Sequence, residues 1–159
     1  MNEYLLQTFL ANRALTYDIL DSLPESELNR LWKRPGLNTY SKHFLEMASV
    51  LEAYSNAFAT KVMDFSEVSE KFEESENYSK QQLKEKLMKS DEVLKKICIS
   101  DQVGEEIFWF DMNIPAEIHF VNIISHEVFH QGMMVMDMYQ NSIDIPLSVA
   151  ESWSLPVEK

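Results

Sequence analysis

His126-Glu-Val-Phe-His130 matches H-E-x-x-H and puts two imidazoles on one face of a helix. Neutral imidazoles so placed can share a divalent metal while leaving coordination positions for water or substrate, and a third ligand decides whether they do. The residues after His130 read Gln-Gly-Met-Met-Val-Met-Asp with no later histidine, so the metzincin pattern fails. Glu151 could complete a peptidase-like set, but the stretch 146–156 offers no second ligand-bearing helix. His119 shares the face of His126, yet seven residues give ~10.5 Å of rise. Nitrogens around one metal lie within about 4 Å of one another. His119 therefore reads as a core or rim histidine.

The elements that must position these residues are helical. Only 3 glycines and 5 prolines occur, and the prolines fall between or at the starts of periodic segments. Apolar spacing predicts four main helices over roughly 2–21, 39–63, 79–100 and 115–140. The first carries Leu6, Leu10, Tyr17 and Leu20 with Arg13 in mid-stripe, the third Leu83, Leu87, Leu94 and Ile97. Ser22-Leu-Pro-Glu25 and Ser79-Lys-Gln-Gln82 resemble capping boxes. Residues 64–78, acidic and serine-rich, suit a solvated connection, and 101–113, with Ile107-Phe-Trp-Phe110, an extended stretch over one end. The economical architecture is all-α, an antiparallel four-helix bundle forming a single domain over 1–159.

The second helix reads Tyr40, His43, Met47, Val50, Leu51, Tyr54, Ala57 and Phe58 on one stripe, which turns His43 into the core. Helices packed 8 to 10 Å apart bring inward side chains together. Three buried imidazoles without a metal would need several polar partners in an apolar interior. His43 thus joins His126 and His130 as a candidate ligand. Glu127, ~100° around the helix from His126, is a candidate general base unless it faces another helix. Glu46, one turn beyond His43, is a candidate to orient a ligand from behind, or a salt-bridged surface group. Arg13 could bind a substrate carboxylate, with a structural ion pair as the commoner fate. Cys98 reads as a small packed residue, and Met133, Met134, Met136 and Met138 as core or interface filler.

The order of these residues carries a resemblance. Asn12-Arg13, Asn38-Thr-Tyr-Ser-Lys-His43, the run Ala116-Glu-Ile-His-Phe-Val-Asn-Ile-Ile-Ser-His126-Glu-Val-Phe-His130-Gln-Gly and the later Ile145-Pro146 resemble the DinB-like superfamily along nearly the whole chain. The resemblance implies a four-helix bundle, commonly a homodimer, with a divalent metal held by His43, His126 and His130. It also implies a thiol transferase or isomerase using bacillithiol, mycothiol or glutathione, or a member without assigned reaction. His130-Gln-Gly-Met133 stands where many relatives read His-Arg-Gly-Gln, and Asn141-Ser142 where a Leu-Gly pair is common. Zinc suits such a site, with nickel a possible substitute, and a low-molecular-weight thiol is the implied co-substrate.

A net charge of −12 repels phosphate backbones and argues against nucleic acid or an anionic membrane as partner. Even the most apolar stretch, 114–139, carries Glu117, His119, Glu127 and Asp137, which excludes a spanning segment there. One cysteine and an N-terminus without basic and apolar leader regions lead us to expect a cytoplasmic protein. The last helix, apolar on nearly every side, leads us to expect a homodimer acting on a small molecule. Thiol transfer ranks first among the activities and metal-assisted hydrolysis second. A stress-response metal-binding or interaction protein without turnover is the alternative.

Overall fold

Helical periodicity dominates the chain, and the computed structural model, which describes residues 3–66, 68, 77–99 and 105–156, is accordingly mostly helical. Among the described residues six helices and one hairpin occur in the order α1 (Glu3–Ser22), α2 (Glu25–Leu28), α3 (Tyr40–Thr60), α4 (Lys80–Ile99), β1 (Glu106–Trp109), β2 (Met112–Pro115), α5 (Ala116–Gln140) and α6 (Leu147–Ser152). Four of them are long, and they touch pairwise, α3 on α4 and α5, α1 on α5 and α4. All eight residues of the predicted α3 stripe are buried. Two apolar clusters fill the interior, one around Phe9, Leu51, Phe58 and Phe120, the other around Leu20, Phe44, Leu87 and Met138. No helix among the described residues is long and apolar enough to cross a membrane.

Local chemistry sets the helix ends. Thr39 caps α3 by accepting from the Lys42 N–H at 3.1 Å. That helix stops at Thr60, short of the predicted 63, because Lys61 turns left-handed (φ 67°) and its N–H closes on the Ala57 carbonyl. The Ser79 capping box forms as expected, whereas the Ser22 one does not. Ser22 still belongs to α1, so its hydroxyl folds back on the Ile19 carbonyl at 2.9 Å, and α2 opens at Pro24 without a side-chain cap.

The expected extended stretch, described over 105–113, belongs to a two-stranded antiparallel hairpin that runs on to Pro115, with Ile107 opposite Ile114; residues 101–104 lie outside the described residues. Its two-residue turn puts both Phe110 (φ 49°) and Asp111 (φ 59°) in the left-handed region. The Phe108 N–H and carbonyl bond Lys61 and Met63, which moors the hairpin to the end of α3. Most of the predicted solvated connection, 67 and 69–76, also lies outside the described residues.

Candidate metal centre

The contact between α3 and α5 builds the site. His43 and Glu46 stand one turn apart on α3, His126 and His130 one turn apart on α5, so each helix offers a pair to the seam. The Nε2 atoms of His126 and His130 lie 3.0 Å apart. Glu46 reaches both, with Oε2 3.7 Å from His130 Nε2 and Oε1 4.0 Å from His126 Nε2. Ligand atoms at ~2.1 Å from a tetrahedral metal are about 3.4 Å from one another, and these three separations bracket that value. Glu46, His126 and His130 therefore form a group with the spacing to hold a metal ion.

The chemistry of the donor set fits as well. Glu46 Oε2 is buried without a hydrogen-bond partner, an arrangement that costs free energy unless something cationic sits against it. Burial pushes the His43 and His126 imidazoles down to about 4, aided at His43 by the Arg34 charge and at His126 by Arg13. Burial, then the two neighbouring histidines, pushes His130 lower still. All three are thus neutral at pH 7, the form that offers a lone pair. Burial raises the Glu46 carboxyl, and Arg34 opposes it. The side chains of His126 (26% exposed) and Glu46 (22%) reach the surface while His130 (1%) does not, so the group opens on one side. Two histidines and a carboxylate with a free side suit catalytic zinc, and suit iron too.

His43 meets His130 from behind. Its Nδ1 lies 2.8 Å from His130 Nδ1, a separation that needs one proton between the two atoms. If His130 is to present an unprotonated Nε2 to a metal, its proton must sit on Nδ1 and be donated to His43. Trp32 stacks on the other face of the arrangement, 4.7 Å from the His43 ring centroid and 29° from parallel. The Leu37 backbone hydrogen-bonds the buried His43 ring and opposes the downward push of burial there.

Sequence reasoning placed Glu46 behind the ligands, and the structure sets it with His126 and His130 in the group that could hold a metal ion, whereas His43 meets that group through His130. Arg13 and Glu127 are brought to each other and not into the group. Arg13, 1% exposed, sits 3.0 Å from Asp91 and 3.3 Å from Glu127, which is 2% exposed and accepts from the Thr16 hydroxyl. Gln131 donates to Thr16 at 3.0 Å and Tyr17 to Asp91 at 2.6 Å, completing a buried polar network between α1, α4 and α5. Burial raises the Glu127 carboxyl, with Arg13 and Thr16 opposing. His119 is fully buried beside the rings of Tyr54 and Trp109, outside the metal group. Burial pushes the half-buried Cys98 thiol up to about 11, as a packed cysteine requires. Trp32 and Asp91 were not singled out from the sequence, and an aromatic or acidic residue outside a motif gives no signal by which they could have been. A scan against protein-family models matches none, and a search of curated proteins finds no relative.

Proposed function

We propose that the protein is a divalent-metal-dependent enzyme built as an antiparallel four-helix bundle of the DinB-like type. The observation that carries the reading is the convergence of Glu46, His126 and His130 on one open-sided point. Such a metal, zinc first and nickel second, would supply a Lewis acid able to hold a thiolate sulfur or an ionised water near neutral pH. The transfer of a low-molecular-weight thiol, of the bacillithiol, mycothiol or glutathione type, to an electrophile is the first reaction class, and hydrolysis the second. In either, Glu46 and the two α5 imidazoles hold the centre, His43 fixes the His130 tautomer, and Trp32 keeps water from that side. The Arg13–Glu127 pair sets the seating of α5 on α1 rather than touching substrate. The open side of the group favours this reading over a non-catalytic metal-binding protein.

A three-histidine set, as the resemblance implies, has one observation in its favour, the contact of buried His43 with His130 at 2.8 Å. Elemental analysis of protein purified without chelators separates the two. We expect about one zinc or nickel per chain in the wild type, lost in Glu46→Ala, His126→Ala and His130→Ala and unchanged in His119→Ala. His43→Ala should weaken affinity about 10- to 100-fold yet fill at saturating zinc, as removal of an orienting partner does. Loss of metal in His43→Ala with full occupancy in Glu46→Ala would establish the three-histidine set instead. No metal in the wild type, even after reconstitution, would overturn the enzyme reading.

A further inference from the structure

In a chain of net charge −12, basic side chains have carboxylates in excess to pair with. Two of the three arginines do so, Arg13 with Asp91 and Glu127, Arg30 with Glu27 and Asp137. Arg34 does not. It is exposed, its Nη1 faces the Met133 sulfur at 3.3 Å, and among the described residues no carboxylate lies within ion-pair reach of it or of its neighbour Lys33. The loop that carries both is closed at its base, where the Trp32 N–H donates to the Asn38 carbonyl at 2.8 Å.

These two cations rim a cleft of about 570 Å³ whose apolar walls include Trp32, Phe129, Met133 and Met136. Asp137, at its floor, is already engaged by Arg30 and by the Tyr40 hydroxyl. Phe129 is 62% exposed, and Met136 59%, so the apolar wall is open to a ligand. The cleft adjoins the metal group through two ring contacts. Phe129 sets its edge on His130 at 5.9 Å, and Trp32 stacks on His43. Arg34 is also near enough for its charge to act on His43, Glu46 and His130. A concave, mostly apolar cavity of this size with a few convergent charged groups is the usual form of a small-molecule site.

We infer that the cleft takes a small organic anion with an apolar body, its carboxylate, sulfonate or phosphate held by Arg34 and Lys33 and its body lying against Phe129 and Met136. The inference rests on the metal-enzyme reading only for its claim that this anion is the substrate, since binding itself needs no metal.

Two fluorescent probes that differ by one acidic group test it, 1-anilinonaphthalene-8-sulfonate and the neutral N-phenyl-1-naphthylamine, titrated against full-length protein. We expect Lys33→Ala/Arg34→Ala to weaken the sulfonate at least tenfold and leave the neutral probe unchanged, and Met136→Glu to weaken both. Lys89→Ala/Lys96→Ala, which removes the same charge from exposed positions on α4, should bind the sulfonate like the wild type. Equal sulfonate affinity in the Lys33/Arg34 variant, an equal loss in the Lys89/Lys96 variant, or indifference of both probes to Met136→Glu would overturn the inference. Zinc content measured on the same samples separates its failure from that of the metal reading. Zinc without sulfonate discrimination removes the anion cleft alone, and discrimination without zinc removes the metal centre alone.

Discussion

One guanidinium lies between two carboxylates in the interior, and that imbalance makes Arg13 the residue whose loss the fold should feel most. Removing it leaves Glu127 and Asp91 buried, close together and without a cation, a situation that typically costs 3–5 kcal/mol. Arg13→Ala should therefore lower the unfolding free energy by about 3–5 kcal/mol in urea titration. Glu127→Gln should cost only about 1 kcal/mol, because the amide keeps the shape and still meets Thr16 while one excess carboxylate disappears. Both variants should bind zinc at the wild-type stoichiometry wherever they are folded. An Arg13→Ala protein as stable as the wild type would show that the guanidinium is not the counter-ion of these two acids. Reading Arg13 from sequence reached a structural ion pair as its commoner fate but not the partners, because nothing in periodicity says which acids from distant helices will face it.

At the scale of elements, the helices that bury apolar residues were legible and the faces that bury polar ones were not. On α3 every residue of the stripe goes inside, His43 included, since the pattern was apolar and continuous. On α1 the buried face is Phe9, Arg13, Thr16, Ile19 and Leu20, while Leu6, Leu10 and Tyr17 are only half-buried. A polar network set that helix's rotation, and hydrophobic periodicity cannot weigh it. The same reason hid the neighbours of Glu46, whose position one turn from His43 was plain but whose partners, His126 and His130, lie on another helix. The hairpin was hidden because Phe110-Asp111 lacks the Asn-Gly signature of a turn with two positive φ values. A local signal suffices at the start of α4, though the similar one at Ser22 does not. At α4 the Ser79 N–H donates to Gln82 Oε1 at 2.9 Å and the Gln82 N–H to Ser79 Oγ at 3.3 Å. Ser79→Ala should cost about 1 kcal/mol, and Gln82→Ala added to it little more, since each half of the box needs the other. Additive losses in urea unfolding would mean the two residues act separately.

For the whole molecule, the fate of α5 decides the assembly. Its inward sides are taken up by α1 and α3, yet Ile118 and Val121 in its first two turns are each 50% exposed. The hairpin leading into those turns adds Phe110 at 73% and Met112 at 57%. Apolar groups gathered this way on one end of the chain are most economically covered by the same surface of a second copy, related by a two-fold axis. A stable interface of that kind buries about 800 Å² per partner, within reach of two helical turns and a hairpin edge. Phe129 and the anion cleft lie two turns farther along α5, so such a contact leaves the cleft open. Sedimentation at micromolar concentration should then give the mass of two 18.6 kDa chains. Val121→Glu puts a charge at the centre of the covered face, where desolvating it is costly, and should give single chains that still bind zinc. A wild-type protein that sediments as one chain would remove the homodimer. A Val121→Glu protein that stays paired would move the interface off the first turns of α5, to the exposed Leu147 at the start of α6 and Trp153 just after its end as the next apolar surface to mutate.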